Sequence, residues 1–152
     1  MHYVFNSIPV VLYAIALVLG LAGVALPFGG AGLTPLAQWM LFLALGLNSL
    51  WTAYSHTFYS EQVAHSIGWA PSPFQHEIGG ANLGIGLGAI AASVLGPQAG
   101  WAIFFVAASF LWGAAAVHVI DMVRTGNFAI NNAGPIFWWD ILTPLTLLIA
   151  LV

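Results

Sequence analysis

Long apolar runs alternate with short breaks rich in glycine, proline or polar residues along the chain. A membrane-crossing helix needs roughly 17–25 mainly apolar residues. Five segments meet that length: about 8–28, 36–59, 73–95, 100–123 and 136–152. Gly29-Gly30 ends the first, and Thr34-Pro35 opens the second. The last carries Asp140 and Pro144 inside it. The pattern predicts an all-α integral membrane protein, a five-span transmembrane helix bundle forming one domain over 1–152.

The third segment has a start signal. Ser72-Pro73-Phe74-Gln75 reads as a capping box, with Ser at the N-cap, Pro at the first helical position and Gln two residues later. That start places His76 and Glu77 in the early turns of the helix. Below them Gly80, Gly84, Gly88, Ala92 and Gly96 repeat every four residues. Small residues at this spacing let another helix backbone approach closely. Gly80, Gly84 and Gly88 are therefore the expected helix-packing interface. His76 and Glu77 sit at its top, within about 60° of it, and are expected to point into a bundle.

Composition fixes the solvent. The chain is 61% hydrophobic and 3% charged, against about a quarter charged in a soluble domain. Most of its surface must meet lipid, so the bilayer is the first partner. With no cysteine, disulfides, thiolate metal sites and iron–sulfur clusters are excluded. A single Arg gives no basic footprint for nucleic acid. MHYVFNS lacks the charged start of a secretory signal, so Met1 is expected to begin the mature chain and the first run to be a retained span.

The polar chemistry is gathered in few places. The stretch HTFYSEQVAHSIGWAPSPFQHEIGG, residues 56–80, holds five of the ten ionisable side chains. Five alternating spans would put the N-terminus and the 60–72 and 124–135 connections on one membrane face. His2, His56, Glu61, His65, His76, Glu77, His118, Asp121, Arg124 and Asp140 all lie at or near that face. The 29–35 and 96–99 loops on the other side have none. Arg124 marks the polar face as cytoplasmic by the positive-inside rule, and a prokaryotic inner membrane is the expected location. Tyr3, Trp69, Trp138 and Trp139 suit that interface, Trp39 and Trp101 the other. Trp51 and Trp112 fall near the middle, as packing residues.

At about 1.5 Å per residue, His56, His118 and Asp140 share a layer on the order of 8 Å below the face. Glu77 and Asp121 lie slightly shallower. Ionisable groups at such depth are costly and usually functional. Imidazole with carboxylate suits Zn, Fe, Mn or Cu, so His56, Glu77, His118 and Asp121 are the candidate metal ligands. Asp140 is placed as ligand or outer partner orienting a His, and Glu61 and His65 as outer partners or proton relay. Each has a plainer reading. Asp121 and Arg124 can pair at i, i+3, Glu61 and His65 can be a solvated surface pair, and His76 can reach the interface. Asn48, Thr52, Ser55 and Tyr59 form a polar run that interhelical hydrogen bonds would explain. No zinc-protease, Gly-x-Ser-x-Gly or dinucleotide motif is present.

Ile67-Gly68-Trp69, then Ser72-Pro73-Phe74-Gln75, Glu77 and Gly79, resemble an uncharacterised family of small prokaryotic multispan membrane proteins. Its signature reads Ile-Gly-Trp, a gap, and Ser-Pro-Phe-Gln-x-Glu-x-Gly. The resemblance covers the connection and the start of the third span. It implies a hydrophobic multispan architecture and no assigned activity, and it moves weight from His76 to Glu77.

Three functions follow, in order of weight. The first is a membrane-embedded metal-binding protein or metalloenzyme. The second is a non-catalytic subunit of a homo-oligomer or larger membrane complex, packed through the small-residue stripe. The third is a proton or ion carrier, which the absence of ionisable groups in the other half of the membrane disfavours.

Overall fold

The computed structural model describes residues 2–152, and side chains from residue 7 on. Expectations for Met1 and for the side chains of His2 and Tyr3 lie outside the described residues. The chain is helical throughout: α1 (His2–Leu21), α2 (Pro35–Phe58), α3 (Ser60–Ile67), α4 (Phe74–Leu95), α5 (Pro97–Thr125), α6 (Ile130–Ala133) and α7 (Pro135–Leu151). Among the described residues four stretches are long and apolar enough to cross a bilayer: Pro35–Phe58, Phe74–Leu95, Pro97–Thr125 and Ile130–Leu151. That is the mark of an integral membrane protein.

The first expected span is shorter than its apolar run. α1 stops at Leu21, and its described apolar part is Ser7–Leu21. Gly23 takes φ +73° and breaks the helix, so residues 24–28 leave it. Leu26 N–H is then held by Gln38 Oε1 at 2.9 Å. Among the described residues four helices qualify by length and apolarity, and α1 is not shown to be a fifth.

The expected capping box does not form. α4 begins at Phe74 with no side-chain cap. Ser72 offers its backbone carbonyl to Gln75 N–H at 3.2 Å, and the Gln75 side chain is buried in the bundle. Thr34 is a working N-cap instead: its Oγ1 accepts from Ala37 N–H at 3.1 Å and donates to Ala150 O at 3.0 Å. One hydroxyl thus starts α2 and ties it to the end of α7.

Within α2, Met40–Leu47 winds as a π-helix, with Asn48 N–H reaching back to Leu43 O. Such a wide turn changes which later residues face inward. Asn48, Ser49, Ala53 and Ser55 are the ones buried. Met40, Leu41, Leu45, Leu111 and Leu147 form the fully buried centre, with Ala89, Ala92, Ala107 and Ala108 between them.

In lipid, close packing rather than water exclusion holds helices together. The tight approach is between α2 and α4. A Cβ on Gly86 would lie 3.0 Å from Gly46 O, and one on Gly79 2.7 Å from Thr57 Oγ1. The expected stripe faces elsewhere. Gly80 and Gly84 are exposed with nothing within 4 Å of an added Cβ, and Gly88 meets only Ile103 of α5, at 2.9 Å. Consecutive helical residues differ by 100°, so the 79–86 face and the 80–84 face are different sides of α4.

Candidate ligand cavity at the polar end

The four crossing helices run alternately. The end of α2, the start of α4, the end of α5 and the start of α7 therefore meet at one end of the bundle. Gly68, at φ +86°, closes α3. Its N–H goes to His65 O at 3.0 Å, and Trp69 N–H goes to Ala64 O at 2.9 Å. The turn delivers Trp69 onto His118, their rings stacked at 5.4 Å and 15°. Trp69 Nε1 then donates to Asp121 Oδ2 at 2.9 Å.

The 127–132 connection completes this end. Asn127 Nδ2 donates to Asp121 Oδ2 at 2.7 Å and to Ile67 O at 2.8 Å. Asn132 Nδ2 donates to Asn127 O at 2.6 Å, so its Oδ1 is the atom that meets His118 Nδ1, also at 2.6 Å. An amide oxygen only accepts, so Nδ1 carries the proton. The other ring nitrogen, Nε2, lies 3.9 Å from Asp140 Oδ2. That gap is too long for a hydrogen bond. Among the described residues it is the only polar contact Asp140 makes.

Beneath Trp69 lies a cavity of about 810 Å³. Its wall is mostly apolar and aromatic, from Trp51, Phe74, Ile78, Phe110, Val117 and Trp139 among others. Into this wall are set His56, Gln75, Asn82, Asn131, His118 and Asp140. Asn82 is 1% exposed, Asp140 4%, Gln75 5% and His118 6%. His56 and Gln75 lie against each other as a side-chain pair, and Asn82 Oδ1 and Asn131 Oδ1 have no hydrogen-bond partner. Unmet atoms also occur outside the cavity wall, on Asn48, Ser49 and Thr143, and each costs free energy when buried alone.

The expected metal ligands are only partly brought together. His118 and Asp140 meet, and His56 shares their cavity. Asp121 lies beside them but its carboxylate is taken by Trp69, Asn127 and Thr125. Glu77 is exposed on α4 and is not part of the cavity wall. Among the described residues no group of three His or carboxylate side chains is placed to hold a metal ion. His76 also points outward rather than into the bundle. Glu61 and His65 are exposed on α3, and Arg124 makes no ion pair with Asp121 among the described residues.

The amides were missed. Gln75, Asn82, Asn131 and Asn132 carry no charge and so do not stand out in a count of ionisable groups. The one available signal was the three asparagines in "GNFAINNAGP", residues 126–135.

Sequence comparison matches residues 6–152 to DUF6790, described as a family of unknown function. The chain belongs to that family. The match runs through every helix named above, including the whole cavity wall. No curated protein and no solved structure matches the chain. The functional reading of this DUF6790 chain therefore stands on its own geometry.

Proposed function

We propose that this protein is a membrane-embedded binding protein for a small amphiphile. The apolar body would lie against the aromatic wall, and the polar head would meet His118, Asp140 and the buried amides. One observation carries the reading: about 810 Å³ of apolar-walled space is lined by the nine-tenths-buried Gln75, Asn82, His118 and Asp140, and Asp140 has no hydrogen-bond partner among the described residues. Small-molecule sites have this form, a mostly apolar chamber with a few convergent polar groups. The metal reading has less support, since Glu77 is turned away and Asp121 is already occupied.

Two features of placement belong to the same proposal. α1, 20 residues long, runs beside α7 and α2, with Tyr13 OH 2.7 Å from Thr146 Oγ1 and Gly20 against Leu36. At about 1.5 Å per residue it is long enough to be a fifth crossing. Arg124, the only Lys or Arg, closes α5 at the cavity end, which supports a cytoplasmic or near-cytoplasmic cavity in a prokaryotic inner membrane. A homo-oligomer through the open Gly80–Gly84 side of α4 is compatible with this site, because neither glycine belongs to the cavity wall.

Native mass spectrometry of the chain extracted in mild detergent tests the binding function. The expected result is a retained small apolar molecule, lost when Ala114→Trp fills the cavity from α5. A bare chain, with Ala114→Trp changing nothing that it carries, would contradict the proposal.

A further inference from the structure

We propose that the head group taken by the cavity is a protonated primary amine, seated between Asp140 and His118. The inference rests on the amphiphile reading and specifies its ligand.

Several of the wall's donors are already committed. Thr52 Oγ1 donates to Asn48 O at 3.0 Å, Ser55 Oγ to Trp51 O at 2.9 Å, and Ser66 Oγ to Val63 O at 2.7 Å. Each hydroxyl in turn leaves its lone pairs. Asn82 Nδ2 donates to Ile78 O at 3.0 Å, and Asn131 Nδ2 donates to Ser66 Oγ at 2.8 Å. Both amides are therefore oriented with Oδ1 as the unmet atom. The indole N–H of Trp69 goes to Asp121 and that of Trp139 to Ala44 O, at 2.9 Å each.

Beside Asp140 in this wall stands the His118 ring, and the His56 ring and the Gln62 and Gln75 amides line the same cavity. Asp140 is the only acid in the wall, and no Lys or Arg lines it. An anionic head would meet like charge at Asp140. A neutral ether or ester head would bring more acceptors. A head that carries positive charge and donates N–H bonds complements Asp140.

The spacing of Asp140 and His118 fits the same group. Oδ2 and Nε2 are 3.9 Å apart. Two acceptors at that separation do not bond to each other, but one donor atom can sit about 2.8 Å from both. An ammonium has a third N–H for an amide oxygen. A quaternary ammonium has the charge and no N–H, so it separates the two contributions.

The test uses the full chain in nanodiscs of zwitterionic phosphatidylcholine. Dodecylamine, dodecyltrimethylammonium, dodecanol and dodecanoate are titrated separately, read by tryptophan fluorescence, since Trp51, Trp69 and Trp139 line the cavity. Dodecylamine should saturate at a concentration about tenfold or more below the other three. Asp140→Asn should abolish that preference while dodecanol binding persists. Equal binding of dodecylamine and dodecanoate, or an amine preference that survives Asp140→Asn, would overturn the head-group inference and leave the amphiphile reading standing. Absence of binding by all four would remove both. The four-probe comparison on the unmodified chain decides the matter even where Asp140→Asn fails to fold.

Discussion

The two ends of the bundle bury neutral polar side chains in opposite ways. At the end formed by the 22–34 loop, Gln38 meets every demand around it. Its Oε1 takes Leu26 N–H at 2.9 Å, and its Nε2 reaches Gly30 O and Leu33 O at 3.4 Å. Thr34 ties α2 to α7, Trp39 Nε1 donates to Val24 O at 2.7 Å, and Gly30 N–H is held by Ser93 O at 2.8 Å. At the other end Asn82 is at least as buried as Gln38, yet its carbonyl oxygen has no partner, and Gln75, equally buried, has only His56 beside it. Residue type and burial are similar, so the difference lies in partners and space. A satisfied buried amide is a fastening. An unsatisfied one beside a cavity stores binding capacity at the expense of stability.

Substitutions at matched positions sharpen this contrast. The largest effect should come at the closed end with Gly30→Ala. Its Cβ would lie 2.7 Å from Gly96 N and from Val94 O, and backbone cannot rotate away as a side chain can. A loss of about 3 kcal/mol is expected, read by denaturant or thermal unfolding in detergent. Gln38→Leu should follow at about 2 kcal/mol, since it strands the Leu26 N–H in the protein interior. His118→Ala should cost roughly 1–2 kcal/mol by freeing Asn132 Oδ1, and should also empty the cavity in native mass spectrometry.

Asn82→Leu is the counterpart of Gln38→Leu at the open end. It removes an unmet oxygen, so stability should stay within about 0.5 kcal/mol of the parent or rise, while ligand retention falls. Equal destabilisation by Asn82→Leu and Gln38→Leu would erase the distinction between the ends. The smallest effect is expected for Gly84→Leu, whose side chain would enter open space. The fold and cavity should be unchanged. Size-exclusion with light scattering then reports whether α4 carries an assembly, which this substitution would disperse.

Much of the helical frame was legible. Apolar length located α2, α4, α5 and α7 to within a few residues, because a lipid-facing helix shows little else. α1 was overextended, since Val24 and Leu26 look as apolar as what precedes Gly23, and only the positive φ there ends the helix. The π-helix at Met40–Leu47 had no signal, because eight consecutive non-polar residues have no face that a change of period could disturb. On α4 two small-residue faces compete, Gly79 with Gly86 and Gly80 with Gly84. Spacing alone cannot choose between them, and the choice decides that Gln75 and Asn82 turn inward while Glu77 turns out. His118 and Asp140 were legible as ionisable groups within the apolar runs. The amides that orient or surround them were not, because a neutral side chain does not reveal from sequence whether it finds a partner.

The central claim is that the open end is a ligand chamber and the closed end a fastening. A structure at side-chain resolution of the protein taken up directly from its membrane into nanodiscs tests this most directly. The account predicts continuous non-protein density between Asn82, His118 and Asp140, with its tail along Phe110 and Trp139. A chamber holding only water, or collapsed so that Gln75 and Asn82 bond to neighbouring side chains, would contradict it.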